Sequence, residues 1–198
     1  MKTLKLIFLI STILLTSNIF AQDTLGKKNA VIIKTDIAMP IIGLATNFKA
    51  GSLTLELGIK RRHSIQLTGL ITSMVSTVFQ HKTIQIIPTY KYFLSKKRAY
   101  TGFYSGLYLK GSQYTSIADH RHFSERSYLE YKQNTLGGGL IFGYQNYILK
   151  RIVVDILLGF GARQVINTTI IKSENIYLGD IKSTYADGII AVNVGYKF

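Results

Sequence analysis

The sequence predicts an all-β protein, an eight-stranded antiparallel up-and-down transmembrane β-barrel. Segments of about ten residues alternate between apolar and polar side chains with a period of two, as β-strands do. One face of each segment carries no charge in its interior. The connections between segments are alternately short and long, which is typical of a barrel in an outer membrane.

The first element along the chain is a predicted signal peptide at residues 1–21. Two lysines precede an apolar run that ends at Leu15, and small or polar residues follow it. This order is typical of a secretory signal, and the apolar run is too short to span a bilayer as a helix. We therefore expect export, cleavage after Ala21, and one mature barrel domain over residues 22–198.

Eight strands and no helix are predicted after the signal peptide. The uncharged strand faces suit lipid, because Lys or Arg at the bilayer midplane costs about 2–4 kcal/mol. The opposite faces carry glycines and isolated charges, which suit a narrow polar lumen. A soluble periplasmic β-sandwich that binds a ligand is the alternative, since its strands also alternate. The predicted strands span residues 30–39, 52–60, 64–73, 83–94, 100–111, 135–145, 151–163 and 188–198.

Charged side chains also fall on the faces that are predicted to line the lumen. A closed space disfavours unpaired charges, so these residues should form a hydrogen-bonded ionic network that plugs the barrel. The predicted network consists of Lys34, Asp36, Glu56, Lys91, Lys110, Asp155, Arg163 and Lys197.

The short connections are rich in basic and aromatic residues. The basic side chains are expected to contact anionic lipid head groups, and the aromatic rings to form a girdle at the membrane interface. The basic residues are Lys60, Arg61, Arg62, His63, Lys96, Lys97, Arg98, Lys150 and Arg151. The aromatic residues are Tyr90, Tyr92, Tyr100, Tyr144, Tyr147, Tyr196 and Phe198.

Composition narrows the classes of partner. The formal net charge of +14 would suggest nucleic acid, but export makes outer-membrane lipids the expected partner instead. Cysteine is absent, which excludes disulfides and thiolate metal sites. We predict no cofactor, no nucleic-acid partner and a monomer.

The third long connection carries the residues that could support chemistry. Asp119, His120 and His122 could ligate a metal ion, because alternate residues of an extended chain share one face. His122 and Ser124 have a spacing that resembles the His/Ser pair of outer-membrane lipid A deacylases. That resemblance implies a lipid A-modifying enzyme as an alternative function. The main prediction is a chain with no catalytic residue and no metal site.

The last predicted strand, IIAVNVGYKF, carries the most specific signal. Tyr196 and Phe198, with alternating apolar residues before them, resemble the C-terminal assembly signal of bacterial outer-membrane barrels. The mature chain as a whole resembles the OmpA/OmpX-like class of small barrels. More narrowly, VIIKTDIAMP and the following SLTLELGI resemble a domain-of-unknown-function family of Gram-negative outer-membrane barrels.

These resemblances imply an outer-membrane location and the barrel-assembly machinery as a partner. They also imply a structural, adhesive or surface-binding role, in which the long loops would meet an extracellular ligand. They supply no catalytic residues.

Overall fold

The chain folds into eight β-strands and one short helix within the part that the structure describes. That part of the computed structural model comprises residues 30–44, 47–76, 79–95, 99–119, 128–148, 151–174 and 184–198. The strands are β1 (Val31–Asp36), β2 (Phe48–Lys60), β3 (His63–Val75), β4 (Phe79–Phe93), β5 (Gly102–Asp119), β6 (Tyr128–Ile148), β7 (Ile152–Glu174) and β8 (Thr184–Lys197), and the helix α1 (Ala38–Leu44) lies between β1 and β2.

The eight strands close into a barrel. Each strand pairs antiparallel with its neighbour along the chain, and β8 pairs with β1. The closing register sets Ile33 opposite Tyr196, and the backbone N–H of Phe198 donates to the carbonyl of Val31 at 2.9 Å. Closure removes both free edges of the sheet. The predicted fold class is confirmed, and the β-sandwich alternative is wrong because one continuous sheet closes on itself.

The barrel wall is apolar outside and charged inside. On the outer face, Leu53 is 66% exposed, Phe103 67% and Phe160 66%, whereas Glu56 and Lys91 are fully buried in the lumen. Folding in water buries apolar surface, so a soluble barrel would show the reverse distribution. The outer face is therefore of the kind that lipid covers in membrane barrels.

The apolar belt on the outer face has a clear limit at one end. There the outward-facing side chains of Lys49, Lys82, Gln113 and Gln164 are polar and exposed. We call this the upper end of the barrel. The lower end is the one with the short connections, where two residues, Arg61 and Arg62, join β2 to β3.

Strands β5 to β8 extend above the belt, further than the sequence alternation predicts. The predicted loops 112–134 and 164–187 are mostly strand, because β5 continues to Asp119 and β7 to Glu174. Alternation signals a strand only where one face is apolar and the other polar. Above the belt both faces meet water, and the pattern disappears although the pairing continues.

The short helix α1 was also missed, because strand β1 was predicted to continue to residue 39. Instead, β1 ends at Asp36, whose Oδ1 accepts a hydrogen bond from the N–H of Ala38 at 2.9 Å. Pro40 lies in the first turn of the helix, where backbone N–H groups have no acceptor within the helix. The missing N–H of proline therefore costs no hydrogen bond. Within the described residues, no helix is long and apolar enough to cross a membrane.

Candidate functional site

The lumen contains a buried cluster of four charges, which we call the central cluster: Lys34, Glu56, Lys91 and Asp155. Both lysine Nζ atoms lie 2.7 Å from the same oxygen of Asp155. Lys34 also pairs with Glu56, and Lys91 lies 3.4 Å from it. All four side chains are completely buried. Two positive and two negative charges balance, and this balance allows them to remain ionised away from water.

Neutral side chains complete the hydrogen bonding of the central cluster. The hydroxyl of Ser64 donates to Glu56 at 2.7 Å, and that of Tyr104 donates to Asp155 at 2.7 Å. Gln145 accepts a hydrogen bond from a cluster lysine at 2.7 Å and donates to a backbone carbonyl at 3.0 Å. A buried polar network stabilises a structure only when its members are satisfied, and this one has that property.

Three lumen tyrosines each pack over a glycine. A Cβ atom on any of these glycines would overlap the neighbouring tyrosine side chain. The glycines therefore provide the room that large rings need inside a narrow barrel. The pairs are Tyr100 with Gly58, Tyr104 with Gly143, and Tyr108 with Gly161.

Aromatic side chains fill the lumen at its lower end. Phe93 is fully buried, and its ring centroid lies 6.0 Å from that of Tyr100 and 5.4 Å from that of Tyr104. The girdle prediction was wrong for Tyr100, which is only 2% exposed, and for Tyr147, which packs against the same buried cluster. Tyr100 has a φ of 56°, a left-handed turn conformation that a period-two pattern does not reveal.

Four residues of the predicted network lie outside the central cluster. Lys110 pairs with Asp187 near the upper end, and Asp36 caps α1 as described above. Lys197 lies 5.1 Å from the ring centroid of Tyr147. The fourth, Arg163, lies near the upper end and forms no ion pair among the described residues. Because the strands of a barrel are tilted, inward-facing residues of different strands lie at different positions along the barrel axis. The sequence pattern does not give these positions.

A cavity of about 270 Å³ lies above the central cluster, and we call it the chamber. Gln66 and Asn193 lie at its floor beside the cluster, and Lys110 lines it higher up. Its wall contains both groups that can form hydrogen bonds and apolar side chains. The polar groups include Thr68, Thr72, Gln85 and Thr89, and the apolar side chains include Ile87, Ile141, Leu157 and Ile189.

Comparison with protein families gives one match over most of the chain. Residues 6–185 match the family described as "Protein of unknown function (DUF3575)". The chain belongs to this family. Among solved structures, it is similar to the N-terminal β-barrel domain of Pseudomonas aeruginosa OprF, with 10% identity, a TM-score of 0.36, and coverage of 87% of this chain and 98% of that one. No curated protein matches it.

The candidate residues for chemistry in this DUF3575 chain lie largely outside the described residues. His120, His122 and Ser124 are among those not described, and only the backbone of Asp119 is described, at the end of β5. In the described part of the chain, no group of three His, Asp or Glu side chains could hold a metal ion. The metal and deacylase hypotheses remain untested predictions.

Several important lumen residues were missed at the sequence level. Asp187 lies in a region that was predicted to be loop, but it continues the inward-facing series of Ile189, Ala191 and Asn193. Extending the alternation by one more pair of residues would have found it. Gln145 was missed because the prediction of the lumen network considered only charged side chains, and an amide carries no charge.

Proposed function

We propose that this protein is a non-enzymatic β-barrel of a bacterial outer membrane with a structural, adhesive or surface-binding role. The observation that carries the proposal is the distribution of side chains, with a continuous apolar outer face around a charged lumen. A closed barrel also satisfies its backbone hydrogen bonds between strands, which lipid requires of a spanning structure.

The two ends of the barrel support an orientation. In outer-membrane barrels the short turns face the periplasm and the longer segments face outward. The lower end carries the short connections and basic side chains such as Arg62, which donates to the carbonyl of Phe93 at 2.9 Å and lies 4.6 Å from the ring centroid of Tyr92. We place this end in the periplasm, with the basic side chains beside anionic head groups.

A structural or binding role fits the lumen better than a channel does. The central cluster and the rings of Phe93, Tyr100 and Tyr104 occupy the lower half of the interior. Eight-stranded barrels are narrow enough for side chains to fill them. Binding would then occur at the upper end, where β5, β6 and β7 extend beyond the apolar belt.

Assembly would use the last strand. The rings of Tyr196 and Phe198 lie 5.0 Å apart, and their resemblance to an assembly signal implies recognition by the barrel-assembly machinery. Deletion of Phe198 should lower the amount of folded protein in the outer membrane while the purified variant still refolds in detergent. Phe103→Leu, another change of an exposed aromatic residue, is the matched control and should leave that amount unchanged.

The orientation can be tested directly because the chain has no cysteine. Single cysteines would be placed at Gln113, above the belt, and at Arg61, in the lower turn. A membrane-impermeant maleimide should label Gln113→Cys on intact cells, and Arg61→Cys only after the outer membrane is permeabilised. Labelling of Arg61→Cys on intact cells would contradict the proposed orientation. Equal labelling of the two variants in a soluble fraction would contradict the membrane location.

A further inference from the structure

Arg163, at the upper end of the lumen, is a cation without a carboxylate partner among the described residues. Its guanidinium lies 5.2 Å from the ring centroid of Tyr114 and 5.7 Å from that of Tyr185. Its Nη1 donates to the hydroxyl of Tyr114, but its Nε is buried and has no hydrogen-bond partner in the described part of the chain. A partly buried charge with an unused donor is costly unless an anion accompanies it.

Both oxygens of the Asp187 carboxylate already have a partner. One of its oxygens pairs with Lys110, and the other accepts a hydrogen bond from the hydroxyl of Tyr108 at 3.1 Å. In the register of the sheet, Lys110 on β5 lies opposite Gly137 on β6, and Gly137 lies opposite Arg163 on β7. The three residues thus form one row across the sheet. Within the described ranges, this row therefore carries two cations, and only one carboxylate pairs with either of them.

Gly137 allows the side chain of Arg163 to cross strand β6. A Cβ atom at this glycine would lie 2.9 Å from the Cβ of Arg163, closer than real Cβ contacts come. Without that side chain, Arg163 extends from β7 over β6 to reach Tyr114 on β5. The glycine thus provides the room that the base of the Arg163 side chain needs where it crosses β6.

Two buried hydroxyl groups lie on the strands next to Gly137. Ser112 and Thr135 are opposite each other in the register of β5 and β6, one inward-facing position above Lys110 and Gly137. They are 6% and 4% exposed, and neither hydroxyl has a hydrogen-bond partner among the residues that the structure describes. Buried hydroxyls are normally satisfied, so both are available to a bound group.

His81 adds a further polar group beside Arg163. It lies above the apolar belt, with its ring centroid 5.5 Å from that of Tyr114 and its Nε2 3.2 Å from the hydroxyl oxygen of Thr83. Burial, together with the positive charge of Arg163, lowers the pKa of His81. The charge of Arg163 thus disfavours a second positive charge beside it.

We propose that Arg163, Ser112 and Thr135 form a binding site for a phosphate group at the upper end of the lumen. Guanidinium groups bind phosphate oxygens through paired N–H donors, and the two hydroxyls supply donors for the remaining oxygens. If this end faces outward, as the proposed function has it, the phosphate belongs either to a lipid head group or to a soluble phosphate ester. Phosphate binding itself does not depend on that orientation.

Binding can be measured on the full chain refolded in a zwitterionic detergent. Inorganic phosphate would be titrated at constant ionic strength, with chloride as the balancing ion, and followed by calorimetry and by the NMR signals of His81. We expect saturable binding that raises the pKa of His81. Arg163→Gln should weaken binding by at least about tenfold, the loss expected for a hydrogen bond to a charged group.

The control variant is Lys82→Gln, which removes a cation that lies near the same height but faces outward. Its affinity for phosphate should equal that of the unaltered chain. Gly137→Ala, which displaces Arg163 and retains every charge, should weaken binding as Arg163→Gln does. Ser112→Ala combined with Thr135→Val should also weaken it. Each variant is first checked on a gel, where a folded barrel migrates more slowly after boiling. Only variants that show this shift are compared.

The source of the phosphate is resolved by a second titration. A short-chain lipid with a phosphate monoester head that binds at least about tenfold more tightly than inorganic phosphate would indicate a lipid ligand. Equal affinity would indicate a soluble phosphate ester. Absence of saturable binding to both probes, or equal losses in Arg163→Gln and Lys82→Gln, would overturn the proposal. The cysteine-labelling result is independent of these outcomes.

Discussion

The lower and upper halves of the lumen are built in contrasting ways. In the lower half, the four charges of the central cluster are paired and the rings of Phe93 and Tyr100 fill the remaining space. In the upper half, the chamber occupies about 270 Å³, and among the described residues the Nε of Arg163 and two buried hydroxyls have no hydrogen-bond partner. Full pairing and packing stabilise a fold, whereas buried donors left unused within the protein are available to a ligand.

Glycine has a different role in each half. Below, Gly143 makes room for Tyr104, which fills the space and donates to Asp155. Above, Gly137 makes room for the base of the Arg163 side chain, which crosses β6 to reach Tyr114. The same residue type on neighbouring stretches of β6 thus accommodates a packed ring in one half and a crossing charged side chain in the other.

The largest expected effect is that of Asp155→Asn in the lower half. This change leaves Lys34 and Lys91 with one carboxylate between them, in a region without water access. Removing one partner of a buried ion pair costs about 3–5 kcal/mol. We expect a loss of that size in the free energy of unfolding, measured by urea titration in lipid vesicles. A loss below about 1 kcal/mol, as is usual for exposed ion pairs, would show that the cluster is solvated.

Gly143→Ala should have the next largest effect. The added Cβ would overlap the ring of Tyr104 and a backbone carbonyl of β7, and overpacking typically costs about 1–3 kcal/mol. The matched control is Gly69→Ala on β3, where nothing lies within 4 Å of the new Cβ. The same urea titration should show no loss for the control. Equal losses would mean that the packing of Tyr104 is not the cause.

Asp187→Asn tests the charge pair of the upper half. It removes the carboxylate beside Lys110, as Asp155→Asn does in the central cluster, but Lys110 borders the chamber, where water can solvate it. We expect a loss of about 1–2 kcal/mol in the free energy of unfolding, typical of a hydrogen bond to a charged group. A loss as large as that of Asp155→Asn would show that Lys110 is as inaccessible to water as the lysines of the central cluster.

The smallest effect is expected for Ala191→Val, which adds two methyl groups beside the chamber. Each buried methylene contributes about 0.8 kcal/mol where space is available. Stability should therefore change by no more than about 1.6 kcal/mol, and in the favourable direction. A clear destabilisation in the urea titration would indicate that the chamber is smaller than its described volume.

The sequence is informative about the barrel wall because lipid imposes a strict rule on it. Alternation identified all eight strands and the inward faces of Lys34, Glu56, Lys91 and Asp155. It did not indicate that these four residues are in contact, because their positions along the barrel axis depend on strand tilt and register. The pairing of Lys110 with Asp187 could not be predicted either, since Asp187 was assigned to a loop.

Features without a periodic pattern were not predictable. The turn conformation of Tyr100 depends on one dihedral angle, and helix α1 is too short to show a helical repeat. That Arg163 has no carboxylate partner among the described residues depends on the pairing of Lys110 with Asp187. The fold class could be predicted from local pattern alone, whereas the candidate site depends on contacts between distant segments.

The central claim, a membrane-spanning barrel with an apolar outer face, is tested most directly by gel mobility of the membrane fraction. Barrels of this kind resist unfolding by detergent at room temperature, so an unheated sample should migrate as a compact, faster band. Boiling should convert it to a slower band at the unfolded mass. Recovery of the protein in the soluble fraction, with identical mobility before and after boiling, would contradict the account.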